Sequence, residues 1–412
     1  MQMTREDCQA LDKADVLAGK RNQFHLPKGM IYLDGNSLGV LPLHVSARVK
    51  HAVEQQWGET LIKSWNEHGW FQLPQKIGNR LAHLLGAAKD SVIVGDSISV
   101  NLFKILSCAL GLRRERKVIL TDSGNFPSDI YVAQGLTQFM GEGYEVRIVP
   151  PEDIAAAINR DVAVVMVTEV DYRSARRHDM KALTKLAHEK GALMIWDLAH
   201  SAGAIPVDLT EGDADFAVGC TYKYLNGGPG SPAFLYVKPL LQNVVQPALV
   251  GWWGHARPFA FDLDFVPAPG IIRQQCGTQP ILSMTALDAA LEVWDGVDMK
   301  VLHEKSQALC QLLIDLVEAS SAQHGIALAG PRDMKQRGSH VSFHCAHGYA
   351  VMQALIAQGV IGDFRAPDLI RFGITPLYNS FTDIWDAAAI LAGILEEALW
   401  NRPDFLNQKA VT

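Results

Sequence analysis

Two polar side chains follow short apolar runs in this 412-residue chain and have types that could act together. Asp197 ends the run ALMIWD, and Lys223 follows the run FAVG, with Tyr222 beside it and a Gly-rich turn after it. A lone lysine is more often a surface residue or half of an ion pair than a catalytic residue. A lone aspartate is a helix N-cap about as often as it is a functional acid. Because ligands of parallel sheets bind at the carboxyl ends of strands, we expect both side chains to lie at one site.

A carboxylate on one strand end and a lysine on the next suit covalent catalysis with an aldehyde that carries a pyridine ring. Partial burial lowers the pKa of a lysine, so that its amine can attack the aldehyde. A carboxylate at the ring nitrogen keeps the ring protonated, and the ring then accepts electrons. The pair therefore predicts pyridoxal 5'-phosphate (PLP) held as a Schiff base on Lys223, with Asp197 at the pyridinium nitrogen.

Apolar runs that alternate with helical patterns indicate the elements that position this pair. The predicted strands are residues 117–121, 145–149, 162–168 and 192–197, and a helix is predicted at 179–190. Strands that are apolar throughout and separated by helices imply an α/β fold with a mainly parallel sheet covered on both faces. After about residue 295 the pattern changes to long helices with a few strands, such as 339–344, which indicates a smaller α+β domain.

The length and these patterns predict three parts of the chain. Residues 1–60 form an N-terminal segment that packs on the small domain and the active site. Residues 61–295 form the large PLP-binding domain, and residues 296–412 form the small C-terminal domain.

Composition excludes several classes of protein. A net charge of −7 argues against a nucleic-acid-binding protein, which usually carries a basic surplus. The N-terminus has no apolar core of a signal peptide, and the longest apolar runs are far shorter than the ~20 residues that a membrane span needs. The six cysteines form no C-x-x-C pair and are expected to be reduced and mostly buried. These features predict a cytoplasmic protein.

Six short motifs in order resemble one family over almost the whole chain. They are residues 32–39 (YLDGNSLG), 125–129 (NFPSD), 197–200 (DLAH), 222–226 (YKYLN), 251–255 (GWWGH) and 276–280 (CGTQP). The stretch from Asp197 to Gly230 is similar to fold-type I PLP enzymes of the aspartate-aminotransferase superfamily. The last two motifs narrow the resemblance to the kynureninases and separate them from aminotransferases and cysteine desulfurases.

The resemblance places the cofactor phosphate at Ser97 and Ile98, at the start of a helical pattern. Backbone N–H groups at a helix start bind phosphate well. The family often has threonine where this chain has Ile98, which offers only its backbone. The alternative is an ordinary N-cap at Asp96 or Ser97.

The resemblance also implies the remaining contacts to the cofactor. They are assigned to Phe126, Pro127, Ser128, Asp129, Thr168, His200, Tyr222, Trp252 and Thr278. Phe126 is expected to stack on the ring, and Thr278 is expected to reach the phosphate from a neighbouring subunit, which makes the protein a homodimer with a shared site. Without the resemblance, Phe126 is a core aromatic residue before a proline turn and His200 is a structural histidine.

Substrate contacts are assigned in the same way. Arg371 fits the family's clamp for the substrate carboxylate, because a guanidinium fixes both the position and the plane of a carboxylate. Trp65 and His68 are candidates for the wall of the aryl pocket, although either residue could be a surface feature. No metal site is expected.

The implied reaction is hydrolysis of L-kynurenine, with or without 3-hydroxykynurenine, to anthranilate or 3-hydroxyanthranilate and L-alanine by cleavage of the Cβ–Cγ bond. Lys223 removes the Cα proton, Tyr222 donates a proton late in the reaction, and Asp197 supports the ring. Thr278 favours plain kynurenine, since some relatives carry asparagine there. The pathway implied is tryptophan catabolism, the kynurenine pathway, with or without NAD biosynthesis.

Other functions stay open at this point, because one fold supports many reactions. An aminotransferase and a cysteine desulfurase are the alternatives within the fold. A desulfurase needs a mobile thiol, whereas Cys345 lies in a predicted strand and is expected to be core. A metal site at His344, Cys345 and His347 lacks a fourth ligand at a sensible spacing. A PLP-fold transcriptional regulator is also an alternative, but no helix-turn-helix or basic segment precedes the core of this chain.

Overall fold

The computed structural model describes residues 3–407. Its α-helices are α1 Arg5–Ala14, α2 Val45–His51, α3 Ser64–Glu67, α4 Leu73–Leu84, α5 Ile98–Leu112, α6 Pro127–Met140, α7 Ile154–Ala157, α8 Met180–Glu189, α9 Ile281–Ala290, α10 Met299–Ser321, α11 Gly348–Ala357, α12 Phe381–Glu396 and α13 Pro403–Leu406. Its strands are β1 Ile31–Tyr32, β2 Val92–Val94, β3 Val118–Asp122, β4 Glu145–Val149, β5 Val162–Thr168, β6 Leu193–Asp197, β7 Phe216–Gly219, β8 Phe234–Val237, β9 Ala327–Leu328, β10 His340–His344, β11 Val360–Ile361, β12 Asp363–Arg365 and β13 Leu369–Gly373.

The larger sheet has seven strands in the order β2-β8-β7-β6-β5-β3-β4. Strand β8 runs antiparallel to both of its neighbours, and the other pairs are parallel. The predicted mainly parallel sheet is therefore confirmed. The strands predicted at 145–149 and 162–168 match β4 and β5 exactly in extent, and the other predicted strands are shifted by one residue at one or both ends.

The large sheet is covered on both faces, as its continuous apolar strands require. Every residue of β5 is buried. One face packs against α8 through Leu183 and Ala187, and the other packs against α5 through Ile105 and Ala109. Helix α8 begins where the sequence predicts, because the Asp179 side chain accepts a hydrogen bond of 2.9 Å from the Ala182 backbone N–H.

A smaller antiparallel sheet has the order β12-β13-β10-β9. Helices α10, α11 and α12 pack around it and share one apolar core with it. The N-terminal segment joins this region through β1, which pairs in parallel with β11, and through the ion pair of Arg5 with Asp386 at 2.7 Å. The predicted domain limits at residues 60 and 295 stay predictions.

The large sheet brings three strand ends to one edge. In its register Thr168, the last residue of β5, lies beside Asp197, the last residue of β6, and Asp197 lies beside Val218 of β7. Lys223 follows β7 by a few residues. The polar residues predicted to act together therefore leave adjacent strands in the same direction.

Five of the six cysteines are buried, Cys276 is half-buried, and all six are free thiols, as predicted. Among residues 3–407 no helix has both the length and the apolar character to cross a membrane, and no three His, Cys, Asp or Glu side chains are grouped as metal ligands.

Candidate active site

A cavity of about 520 Å³ opens at the carboxyl ends of β5, β6 and β7. Eleven of the residues predicted to form the site line it: Ser97, Ile98, Phe126, Ser128, Asp129, Thr168, Asp197, His200, Tyr222, Lys223 and Arg371. These residues come from helix starts, strand ends and the small sheet. The fold therefore brings most of the predicted site residues together.

Lys223 lies half-buried in this cavity beside a histidine. Its Nζ is 3.0 Å from His200 Nε2 and lies 5.9 Å from the centroids of the Phe126 and Tyr222 rings. Burial and the positive charge of Lys223 hold the pKa of His200 well below its usual value. The imidazole is therefore neutral, and in the tautomer with its hydrogen on Nδ1 the Nε2 atom accepts a hydrogen bond from the lysine amine.

Two buried aspartates lie together at the cavity. Asp197 Oδ1 accepts a hydrogen bond of 2.8 Å from the Ala199 backbone N–H. Burial raises the pKa of Asp197, and burial together with the charge of Asp197 raises the pKa of Asp129 well above the usual value, although the Lys223 charge opposes both shifts. Asp129 Oδ2 is buried and has no hydrogen-bond partner among residues 3–407. A protonated ring nitrogen fits this pair, because it supplies both a positive charge and a donor.

The start of α5 forms another part of the cavity wall. Ser97 is the N-cap, and its Oγ accepts a hydrogen bond of 3.4 Å from the Val100 N–H. The first N–H groups of a helix have no partner within the helix, and they attract anions. Ser97 is therefore an N-cap, and it also lines the cavity with Ile98 and Ser99, so its contact with the phosphate stays a prediction.

A buried lysine stabilises the turn at Asp96 that precedes α5. Asp96 has a left-handed backbone (φ +52°), a conformation that is unusual for a residue with a side chain. Lys104, which is almost fully buried, donates to Asp96 Oδ2 at 2.6 Å and to the Gln274 carbonyl at 2.7 Å. This contact fixes the turn that leads into α5, and the sequence analysis did not identify it.

Some predicted site residues lie outside the cavity of this chain. Pro127 is the first residue of α6 and is not among the residues that line the cavity. Trp252 is 39% exposed and packs near Phe71, with ring centroids 6.3 Å apart, and Thr278 is exposed. Trp65 packs against Trp253 at 5.5 Å, outside the cavity lining.

The two candidates for the aryl pocket stay predictions. His68 is exposed, and Trp65 is half-buried among other aromatic rings rather than in the cavity. Neither residue lines the cavity of its own chain, so their assignment to the aryl pocket gains no support from the cavity.

Arg371 lies at the far side of the cavity and is held more tightly than the sequence implied. The residue is buried, and its Nε donates to Asp363 Oδ1 at 2.8 Å. Its Nη2 donates to Asp363 Oδ2 and to Ser37 Oγ, the latter at 3.1 Å, and its Nη1 donates to the Tyr172 carbonyl. The bidentate partner of this guanidinium is therefore Asp363.

Several residues of the site were not predicted from the sequence. Those with polar side chains at the cavity are Asn36, Ser37, Asp96, Ser99, Tyr172, Ser231 and Arg365, and Asp363 lies directly behind Arg371. Asn36 and Ser37 belong to the motif at residues 32–39, to which no function was assigned from the sequence. For Asp363 and Arg365 the available signal was their spacing of two residues in a strand, which places them on one face.

One thiol lines the cavity, and it is not the one that the sequence analysis considered. Cys220 is buried, its Sγ lies 3.7 Å from the Ala199 carbonyl, and burial raises its pKa. It immediately follows β7, so it is fixed by the sheet rather than carried on a mobile loop. Cys345, expected to be core, is indeed buried in the small domain.

Comparisons with known proteins agree with these features. A family model described as the kynureninase C-terminal domain matches residues 302–391. A kynureninase from Pseudomonas fluorescens is 52% identical over 414 residues, which cover 99% of this chain and all of the relative. A kynureninase from Burkholderia mallei is 50% identical with the same coverage.

The structural comparison bears on the fold alone. The apo structure of a cysteine desulfurase from Thermococcus onnurineus NA1 superposes with a TM-score of 0.76 at 18% identity, covering 92% of this chain and 98% of that one. This likeness confirms the predicted fold-type I architecture. The full-length identity decides the family, and the chain belongs to the kynureninases.

Proposed function

We propose that this chain hydrolyses L-kynurenine to anthranilate and L-alanine, with pyridoxal phosphate as its cofactor and Lys223 as the residue that binds it. The observation that carries the proposal is the position of Lys223 Nζ, 3.0 Å from a neutral His200, in a cavity that also contains a buried acid pair and an arginine. Family membership supports the choice of substrate.

The residues present fit this cofactor at each of its ends. Asp197 and Asp129 suit the ring nitrogen, because a positive charge at this place would offset the burial that raises the pKa values of both carboxyl groups. The start of α5 suits the phosphate. Phe126, which is 43% exposed and lies at the cavity, suits the face of the ring. When bound, the cofactor supplies an electron sink for the negative charge that develops on the substrate.

Lys223 and His200 move and direct the first proton. The lysine amine takes the Cα proton of the substrate, and the neutral His200 Nε2 orients that amine by accepting one of its hydrogens. Because burial keeps the histidine uncharged, it does not repel a protonated lysine after the transfer.

Tyr222 is the proposed donor of a later proton. Its ring lies beside Lys223 at the cavity, and burial raises the pKa of its phenol, so the hydroxyl stays protonated at neutral pH. A positioned phenol of this kind protonates the carbon left after the Cβ–Cγ bond breaks. This proton becomes part of the methyl group of L-alanine, and the oxygen of a water molecule that adds to the γ-carbonyl leaves in the carboxylate of anthranilate.

We extend the proposal to a homodimer in which Trp252 and Thr278 reach the partner's site. Both residues are exposed and lie outside the cavity of their own chain. The chain after Trp252 forms an exposed apolar loop, in which Phe259, Phe261 and Leu263 are 68%, 82% and 102% exposed. A contiguous apolar patch of this kind is typical of a protein interface.

The dimer proposal is tested by complementation. We expect Lys223→Ala and Trp252→Ala proteins, each inactive or weak alone, to regain activity after they are unfolded and refolded together. A hybrid dimer would then contain one site with neither lesion. Absence of any recovery in mixtures that form hybrids would contradict a shared site.

The reaction itself is tested by following anthranilate fluorescence from L-kynurenine, with and without a 2-oxoacid. We expect equal rates in both cases, whereas an aminotransferase would require the oxoacid. Release of sulfide from L-cysteine at a comparable kcat/KM would instead favour a desulfurase. A parallel assay with 3-hydroxykynurenine tests the preference for plain kynurenine, and the catabolic role and cytoplasmic location stay predictions.

A further inference from the structure

Three charged residues share one face of the small sheet. Asp363 and Arg365 are two residues apart in β12, so their side chains point to the same side. Asp363 lies directly opposite Arg371 in the antiparallel pair β12–β13. Residues that face each other across such a pair are neighbours, and this face borders the cavity through Arg365 and Arg371. The geometry of the two strands therefore places both guanidinium groups at the same part of the cavity wall.

The two arginines differ in how much donor capacity they have left. A guanidinium has five N–H groups. In Arg371 four of them are used, by the two oxygens of Asp363, by Ser37 and by the Tyr172 carbonyl. One N–H of Arg371 therefore remains for a ligand, which is too few for a bidentate contact with a carboxylate.

Arg365 has the missing capacity. Its Nη2 lies 2.8 Å from Asp363 Oδ2 and 3.4 Å from Ser37 Oγ, and its Nη1 makes a long contact of 3.4 Å to the neighbouring Phe364 carbonyl. Its Nε has no hydrogen-bond partner within residues 3–407. The Arg365 side chain is 38% exposed, against 2% for Arg371, so it is also the more accessible cation.

The cluster carries more positive than negative charge. Two guanidinium groups face Asp363, and Arg371 and Arg365 hold the pKa of that carboxyl below its usual value against the opposing effect of burial. Burial and the Asp363 charge raise the pKa of the neighbouring Asp34 to about 7, so it is only partly ionised near neutral pH. The other titratable groups that act on the cluster are two histidines, His200 and His340, whose pKa values are lowered by burial and the nearby positive charges, and three tyrosines, Tyr32, Tyr172 and Tyr224. An unbalanced positive charge therefore remains at the cavity.

We propose that Arg365 makes the second guanidinium contact to the α-carboxylate of the amino-acid substrate, beside the one free N–H of Arg371. Asp363 is the positioning residue that holds both arginines. The inference rests on the proposed function, since it requires an amino-acid substrate. It revises the simple clamp expected from the sequence, because Arg371 acts there as half of a pair.

The test is equilibrium binding to the holoenzyme of Arg365→Gln. We titrate it with L-alanine, the proposed product, and with L-alaninamide, which lacks the negative charge, and follow the cofactor absorbance. We expect the Kd of L-alanine to rise about tenfold or more, as the loss of a hydrogen bond between charged groups implies. The Kd of L-alaninamide is expected to stay within about threefold of that of the unmodified protein.

Two further variants make the result specific. Arg332→Gln removes an exposed arginine that pairs with Glu318 on the small domain, and we expect no change in either Kd. Arg365→Lys keeps the charge without the planar fork, and we expect an intermediate Kd for L-alanine. Steady-state kinetics of Arg365→Gln should show a raised KM for L-kynurenine with kcat nearly unchanged.

Three outcomes would overturn the proposal. One is an unchanged Kd of L-alanine in both Arg365 variants. The second is an equal loss of affinity for L-alanine and L-alaninamide, which indicates a general loss of site structure. The third is weakened cofactor binding at an unchanged melting temperature, which assigns Arg365 to the cofactor phosphate. Failure of the unmodified protein to hydrolyse L-kynurenine would count against the proposed function instead.

Discussion

The two halves of the proposed site, one for the cofactor and one for the substrate carboxylate, are assembled differently. The cofactor half uses residues between Ser97 and Lys223, carried by the ends of adjacent strands and the starts of helices of one sheet. The carboxylate half joins Ser37 to Asp363 and Arg371, which lie more than three hundred positions away, through the small sheet and the N-terminal segment. The comparison shows which parts of a site depend on local pattern and which depend on tertiary contact.

The two halves also treat buried charge in opposite ways. Burial raises the pKa of Asp129 and Asp197, which have no arginine beside them. At the other half, two guanidinium groups lower the pKa of Asp363 although it is equally buried. In the cofactor half the charge of Lys223 only partly offsets burial, whereas the carboxylate half is already an ion-paired unit.

Removal of Lys223 is the largest single disruption of the cofactor half. We expect Lys223→Ala to lower kcat by about 10³-fold or more, because the residue is both the covalent anchor and the base. Borohydride treatment followed by peptide mapping should label the Lys223 peptide in the unmodified protein alone. The apoprotein should keep its melting temperature, because the lysine is only half-buried and the change removes a single hydrogen bond, that with His200.

A lysine that lies far from both halves provides the control for this change. Lys181 is 68% exposed and pairs with Glu211 on the surface. Lys181→Ala should leave both kcat and the borohydride label unchanged. Label that persists in Lys223→Ala, at any other lysine, would show that the cofactor is anchored elsewhere.

The opposite treatment of charge predicts opposite effects of two Asp→Asn changes on the apoprotein. The raised pKa of Asp129 means that its contribution to stability is present at low pH and is lost as pH rises through that raised value. Asp129→Asn removes this loss. We therefore expect the variant to gain stability relative to the unmodified apoprotein between pH 5 and pH 8.

The lowered pKa of Asp363 has the reverse consequence. Its contribution is present above the ordinary carboxyl pKa of about 4 and is lost only as pH falls through the lower folded value. Asp363→Asn should cost about 3–5 kcal/mol at both pH 5 and pH 8, because it leaves two buried or half-buried arginines without their partner. Urea denaturation of the apoproteins measures both differences, and the same sign for the two variants would refute the contrast.

The sequence predicted the cofactor half well for a physical reason. Apolar strands such as 162–168 have a clear pattern, and a polar residue at the end of such a strand marks the sheet edge where ligands bind. Asp197 and Lys223 were found in this way, whereas Thr168 was assigned by the family resemblance. The register that places them side by side follows from the parallel pairing itself.

The carboxylate half could be predicted only in part. The family resemblance identified Arg371, but no local pattern links Ser37 to a strand near residue 363. Asp363 was missed because its role depends on facing Arg371 across two strands, a pairing that only the folded structure defines. Trp252 and Thr278 are the reverse case, since they were assigned by resemblance and lie outside the cavity of their own chain.

The smallest predicted effect compares one helix cap from each region. Ser97 caps α5 at the cavity, and Ser380 caps α12 in the small domain through a reciprocal pair of bonds with Asp383 at 3.0 and 2.9 Å. Replacement of either serine by alanine should cost about 1 kcal/mol in the free energy of unfolding of the apoprotein, since an N-cap bond is lost in each case.

Only one of these two changes should affect the cofactor. We expect Ser97→Ala to weaken PLP binding by about threefold to tenfold, because a hydroxyl at the helix start contributes a hydrogen bond to the phosphate. Ser380→Ala should leave the Kd of PLP unchanged at the same loss of stability. If Ser97→Ala also leaves it unchanged, Ser97 is a cap alone, and the backbone N–H groups of Ile98 and Ser99 carry the phosphate by themselves.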